Sequence, residues 1–245
     1  MKVSDNPRDR AVQHMFDRIA GRYDLLNRVI SFRLDSRWRK QAIRSVLTNH
    51  NPLILDLGSG TGDLSFLAAK SSGGSGRFVG LDFSPAMLQA AQKKRSGTPH
   101  GNRTFFVLGS ALFAPFRDAV FDGVMSAFVL RNVSDLSLFF SQAYRVLRAG
   151  GKFVSLDMFP PANGLFAKVY GVYFYRLVPW LGALFAGDRR AYKYLSESVR
   201  SFHSPETVAD ILKQAGFEHV TLQKFLHGAV CMHIAEKSKP FKSPA

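Results

Sequence analysis

Apolar positions along the chain fall into two alternating rhythms. Residues 53–57 form a short apolar run carrying one acid, Asp56, and comparable runs recur at 77–83, 104–108, 121–128 and 152–158. Runs this short, bounded by Gly, Pro and Asp, read as buried strands. Between them apolar residues return at helical spacing, as at Leu64, Leu67 and Ala68, then across 85–94 and 135–147. Ser84-Pro85 and Ser204-Pro205-Glu206 supply a capping hydroxyl followed by a first-turn proline, and Gly150-Gly151 and Gly216 supply stops. Ahead of this core, residues 8–47 read as two helices around a turn at Tyr23-Asp24-Leu25-Leu26-Asn27. Behind it come an aromatic-rich helical insertion at 160–202, a helix from Pro205, and a closing hairpin of 218–225 with 229–237. The alternation predicts an α/β fold, a mostly parallel seven-stranded sheet ending in an antiparallel hairpin. It is one domain in four parts: an N-terminal helical cap at 1–50, a core at 51–159, the insertion at 160–202, and the closing helix and hairpin at 203–237.

Composition narrows the class. With 245 residues, 46% of them hydrophobic, the chain is long enough for one sizeable core. Its net charge of +15 favours a partner carrying negative charge: nucleic acid, an anionic membrane surface or an acidic substrate. One cysteine, Cys231, excludes an internal disulfide and any cysteine-cluster metal site. The seven histidines fall in no close ligand spacing, so no metal is expected. The most apolar stretch, 164–187, is interrupted by Lys168, Arg176 and Pro179 and is no membrane span. The N-terminus has no apolar signal core. A cytoplasmic protein with peripheral membrane contact is expected.

The chemistry concentrates where the first strand ends. Leu57-Gly58-Ser59-Gly60-Thr61-Gly62-Asp63 places three glycines between a strand and a helix, where the backbone turns sharply and a ligand comes close. The sixth position of a dinucleotide fingerprint is Asp63 rather than Gly, and no Gly-Lys-Ser/Thr follows, which disfavours NAD and a phosphate-binding P-loop. Asp82 closes the second strand, where an acid accepts both ribose hydroxyls of an adenosine-bearing cofactor.

The glycine turn with its distant acid resembles the first motifs of class I S-adenosylmethionine (SAM)-dependent methyltransferases, a Rossmann-like fold. Four further stretches resemble one family of these, the ubiquinone/menaquinone biosynthesis C-methyltransferases: residues 16–27 continuing to Ser31, Phe32 and Trp38; Leu130-Arg131-Asn132-Val133; residues 144–153; and residues 187–202. Together they span about residues 12 to 237. The chain departs from the family pattern at Asp35, where a His is usual, at Leu26, Arg148, Ala149 and Asp157, and at Ser110 in the adenine loop. The resemblance implies SAM as cofactor, bound by Asp56, Gly58, Ser59, Gly60, Thr61, Gly62, Asp63, Asp82, Phe83, Met87, Ser110, Ala111 and Phe128. It implies a polyprenylated quinol as methyl acceptor.

Ring-carbon methylation needs an electron-rich ring, positioned in line with the methyl group, and a stabilised phenolate. Arg131 and Asn132, leaving the fourth strand, are the candidates for holding the quinol, with Tyr23 a second contact from the cap. Asp63 is expected to reach the methionine amino group indirectly. His203 reads as a structural histidine rather than a base. The residues at 128–131, Phe-Val-Leu-Arg, lack the Asn/Asp-Pro-Pro-aromatic signature of amino-group methylation, and no cysteine stands there for cytosine methylation. Nucleic acid is therefore not the expected substrate. Methylation of another small molecule at oxygen or nitrogen, or a scaffold without catalysis, are the alternatives. The apolar residues of 160–202, among them Leu165, Phe166, Val169, Tyr170, Tyr173, Phe174 and Trp180, read as a lid that takes the prenyl tail and meets an anionic membrane, or else as core or a homodimer contact.

Overall fold

The computed structural model describes residues 6–47, 50–161, 164–178 and 189–239. Seven strands form one sheet: β1 (Leu53–Leu57), β2 (Arg77–Asp82), β3 (Thr104–Leu108), β4 (Phe121–Ala127), β5 (Leu147–Met158), β6 (Glu218–Phe225) and β7 (Val230–Glu236). Their order is β3-β2-β1-β4-β5-β7-β6, parallel from β3 to β5 and antiparallel across β7 and β6. The chain winds outward from β1 to β3 and then returns to place β4 on the other side of β1. A crevice opens where the winding reverses, at the carboxyl ends of β1 and β4.

The helices are α1 (Pro7–Ile19), α2 (Tyr23–Ile30), α3 (Asp35–Val46), α4 (Asp63–Ser71), α5 (Pro85–Arg95), α6 (Leu136–Val146), α7 (Leu165–Val172), α8 (Arg189–Arg200) and α9 (Pro205–Gln214). The capping signals act as read: Ser84 accepts from the Met87 amide and Ser204 from that of Thr207. One face of the sheet buries Phe139, Phe140, Phe153, Val208 and Phe217 under α6 and α9. The other buries Ile43, Val46, Ile54, Phe78 and Val154 under α3 and α4. A third cluster joins Met15 and Ile19 of α1 to Met87, Tyr170, Phe174 and Val199. It ties the N-terminal cap to the insertion.

Two expectations are corrected. Among the described residues the cap holds three helices rather than two, because residues 23–27 begin α2 with Asp24 in its favourable first turn, and the reversal comes instead at Phe32 and Arg33, both at positive φ. Strand β5 starts at Leu147 rather than 152: Leu147 pairs with Phe121 before an irregularity, and Gly150 turns at φ +79. The expected insertion is helical at 165–178, with a π-helical turn over 173–177, and at 189–200, whereas Trp180, Leu181, Leu184, Phe185, Gly187 and Asp188 lie outside the described residues. Among the described residues no helix is long and apolar enough to cross a membrane.

Candidate functional site

The glycine turn fills the crevice floor. Gly58, Gly60 and Gly62 all have positive φ, but they are needed for different reasons. A Cβ on Gly58 would lie 2.5 Å from a Val129 methyl, so this position admits no side chain. A Cβ on Gly60 would meet only Tyr23 at 4.0 Å and would project into open space. Gly60 therefore keeps backbone accessible from the crevice. Its amide donates to Asp82 Oδ2 at 2.7 Å, and the Ser84 amide donates to Asp82 Oδ1 at 2.9 Å. Those bonds fix the carboxylate while leaving each oxygen further lone pairs. Burial raises the Asp82 pKa to about 6 against the pull of these amides. Beneath the turn, Asp56 accepts from Ser65 Oγ at 2.6 Å, while its Oδ1 is buried without a partner; burial raises its pKa to about 7.

The cap is fastened over this turn by polar contacts that sequence spacing does not reveal. Asp24 of α2 accepts from Thr61 Oγ1 and from Lys94 Nζ, and the same ammonium pairs with Asp63 at 2.6 Å. Helix α1 sends Gln13 to the Phe83 carbonyl, Asp17 to Ser84 and Asp9 to Ser134. Tyr23 stands edge-on to Phe16 above Gly60.

Two sets of space result. A polar-edged crevice runs from Phe16, Tyr23, Gly58, Gly60 and Met87, past Asp82 and Phe83, to Gly109, Ser110 and Ala111. Beside it lies an apolar cavity of about 240 Å³, walled by Ile30, Phe32, Trp38, Met158, Phe166, Tyr170, Phe174, Leu226 and Val230. Phe128 lines both and separates them. Its φ of +64, unusual for a bulky residue, turns the chain out of β4; the Asn132 amide holds its carbonyl and the Arg39 guanidinium lies 5.0 Å from its ring centre.

The neighbours Arg131 and Asn132 part company at this wall. Arg131 lines the apolar cavity; Asn132 lines the crevice. Arg131 is buried, with Nη1 donating to Asp157 Oδ1 at 2.5 Å and Nε without a partner. Asp157, also buried, takes the amides of Leu130 and Met158 as well. The cavity's other polar groups are Asn27, Ser31, Asp35, Tyr170 and Tyr173. Asp35 accepts from Ser31 at 2.8 Å and pairs with Arg39.

Of the cofactor-binding residues read from the sequence, Gly58, Gly60, Asp82, Phe83, Met87, Ser110, Ala111 and Phe128 line the crevice. Asp56, Ser59, Thr61, Gly62 and Asp63 do not. Asp56 and Ser59 are buried below the turn, Thr61 is bonded to Asp24, and Gly62 has Phe66 and Phe106 where a side chain would go. The Asp63 carboxylate is turned to Lys94 on a surface groove, so only an indirect approach to a ligand in the crevice is open to it. Tyr23 and Asn132, expected at the methyl acceptor, stand on the crevice side. The important omission is Asp157, which an available signal marked: it is an acid ending an apolar strand, as Asp82 is. Among the described residues no group of three or more potential metal ligands occurs.

Comparison with known proteins shows the family and the fold. The chain is 41% identical to the demethylmenaquinone methyltransferase of Thermus thermophilus over 91% of its own length and all of that protein. It is 36% identical to the ubiquinone/menaquinone biosynthesis C-methyltransferase UbiE of Geobacter sulfurreducens, over 92% of this chain and 88% of that one. Solved structures share the fold at lower identity. A SAM-dependent methyltransferase from Thermotoga maritima superposes with a TM-score of 0.61 at 20% identity, covering 92% and 99% of the two chains. The Haemonchus contortus phosphoethanolamine N-methyltransferase 2, solved with S-adenosyl-L-methionine, gives 0.59 at 17% identity, covering 83% and 53%. The profile of the ubiE/COQ5 methyltransferase family matches residues 2–237, nearly the full length, and the chain belongs to that family.

Proposed function

We propose that this enzyme transfers a methyl group from SAM to a ring carbon of a prenylated quinol, with a demethylmenaquinol head as the first candidate acceptor. The observation that carries the reading is the apolar cavity with a buried arginine, set across one phenylalanine from the crevice. A ring in that cavity and a cofactor in the crevice would meet at Phe128.

The crevice residues fit SAM. Asp82 has lone pairs free for two ribose hydroxyls, Gly60 leaves room for the chain between ribose and methionine, and Ser110 and Ala111 lie where an adenine edge would come. The unpartnered Asp56 oxygen below the turn suits a bridging water to an ammonium. SAM supplies an electrophilic methyl group on a sulfonium. The chain's part is then orientation and charge. Arg131, held by Asp157, would face the oxygen of the quinol, where phenolate charge drives electron density onto the adjacent carbon. Tyr23 and Phe16 would close over the crevice and exclude water.

The prenyl tail leaves by the cavity mouth, where Phe32 is 71% exposed and Leu226 is also exposed. Around it Leu25, Val29, Leu165, Val169 and Val172 are exposed on α2 and α7. An adjoining groove carries Arg28, Arg33 and Lys70. Apolar tips beside cations fit an anionic bilayer surface, from which a lipid-borne acceptor would enter. A second copy of the chain on the same face is the competing occupant.

The test is incubation with methyl-labelled SAM and a panel of reduced demethyl-naphthoquinols and benzoquinols of increasing tail length. The expected product is an acceptor heavier by one methyl group on carbon. A protein that binds SAM yet methylates no quinol, only oxygen or nitrogen acceptors, overturns the reading.

A further inference from the structure

Two buried polar atoms on residues that wall the apolar cavity lack partners, and they come from different parts of the chain. One is the Nε of Arg131, from the exit of β4; the other is the hydroxyl of Tyr170, from α7. Both residues line the cavity, both are about nine-tenths buried, and the Tyr170 phenol lies within the field of the Arg131 guanidinium. A buried donor left unpaired costs stability, so a pair of them in one cavity marks a place built for a ligand's acceptor atom.

The neighbouring aromatics sharpen this. Tyr173, three residues on, uses its hydroxyl to hold the Ile30 carbonyl at 2.8 Å, a fastening of the insertion to α2. Tyr170 makes no such bond. Its ring is instead stacked between Phe166 and Phe174, which sets the direction of the phenol by packing alone. Arg131 is likewise immobilised, with Nη1 committed to Asp157. The two donors are thus fixed before any ligand arrives. Their chemistry suits an oxygen that bears negative charge, because one is a cation and the other a neutral hydroxyl that burial keeps protonated.

We propose that Tyr170 donates to the same quinol oxygen as Arg131 Nε, the oxygen attached to the carbon next to the methylation site. The proposal rests on the quinol reading given above. During transfer the ring carbon's electron pair forms the new bond to the methyl group, and the carbon–sulfur pair stays on sulfur. The oxygen then passes from phenolate to carbonyl. It recovers its charge when the proton on the methylated carbon leaves to water. A hydrogen bond that is strongest to the charged oxygen lowers the pKa of the bound quinol and raises the fraction ready to react.

The test compares Tyr170→Phe with Tyr173→Phe, each assayed with SAM and a short-chain demethylnaphthoquinol held reduced. Tyr170→Phe is expected to lower kcat/KM by roughly 10- to 100-fold and to move the acid limb of the kcat profile, which reports the bound quinol, up by about one unit, as loss of one hydrogen bond to a charged group implies. SAM affinity is expected to stay within a few fold. Without ligand, the melting temperature is expected to equal or exceed that of the parent, since the deleted hydroxyl has no partner. Tyr173→Phe is expected to lower the melting temperature and leave the pH limb in place. Unchanged kcat/KM and pH profile in Tyr170→Phe overturn the proposal, as does marked destabilisation of that variant without ligand, which would reveal a structural bond. If the parent protein binds SAM but methylates no quinol, the functional reading itself fails, which is a separate result.

Discussion

Replacing Asp82 with Asn separates what this carboxylate costs the fold from what it does for the ligand. The carboxylate is buried, accepts the Gly60 and Ser84 amides, and still has its pKa raised to about 6 by desolvation. A raised carboxyl pKa means that the folded state binds more protons than the unfolded chain between about pH 4 and 6. Its contribution is therefore most favourable at low pH and declines as pH rises through that window. The displacement from the usual carboxylate value, about two units, corresponds to a penalty on the order of 3 kcal/mol once the group is fully charged. Roughly half of this has developed by pH 5. Asp82→Asn removes the penalty, but its amide carbonyl can accept only one side's donors and its NH₂ faces an N–H. Chemical denaturation without ligand is expected to show the variant as stable as the parent or more so at pH 8, with the difference growing by roughly 1–2 kcal/mol from pH 5 to pH 8. Calorimetry is expected to show SAM binding weakened by about 30- to 150-fold, from the loss of about 2–3 kcal/mol of charged acceptor to ribose. A variant that is equally destabilised at both pH values while binding SAM normally would refute both halves of the reasoning.

Four further outcomes test other parts of the protein. Arg131→Lys keeps the charge but not the fork held by Asp157; turnover is expected to fall about 10- to 100-fold in steady-state assays, with SAM affinity changed only a few fold. Arg131→Ala would leave Asp157 buried without its cation, held only by the Leu130 and Met158 amides, and denaturation is expected to register a loss of about 3–5 kcal/mol. Gly58→Ala is expected to destabilise more than Gly60→Ala, because only the former meets a methyl at 2.5 Å, whereas calorimetry is expected to find SAM binding impaired in both. Cosedimentation with anionic liposomes is expected to exceed that with neutral ones, to weaken with salt, and to drop about tenfold or more in Phe32→Ser, which removes an exposed aromatic that only the bilayer would bury; a dimer at low salt with no liposome binding would assign the face to a second copy.

What the sequence by itself determined is the local and the periodic. The five short apolar runs, the capped helices at Ser84 and Ser204, and the closing hairpin follow from spacing and from residues whose preferences are satisfied within a few positions. The glycine turn was legible because positive φ demands glycine, and Asp82 because an acid closing a buried strand has few other uses. Tertiary structure decided what those signals leave open. Neither spacing nor composition tells Arg131 from Asn132, yet a left-handed Phe128 between the two cavities sends one to the apolar side and the other to the crevice. That Asp63 pairs with Lys94, thirty-one positions away, is likewise invisible in the sequence. The partner of Arg131 waits on β5, and the cap is fastened by pairs such as Asp24 with Thr61 and Asp9 with Ser134. The physical reason is range. Helix, strand and turn preferences act over a few residues, whereas a buried charge finds its partner wherever sheet order brings the strand ends together.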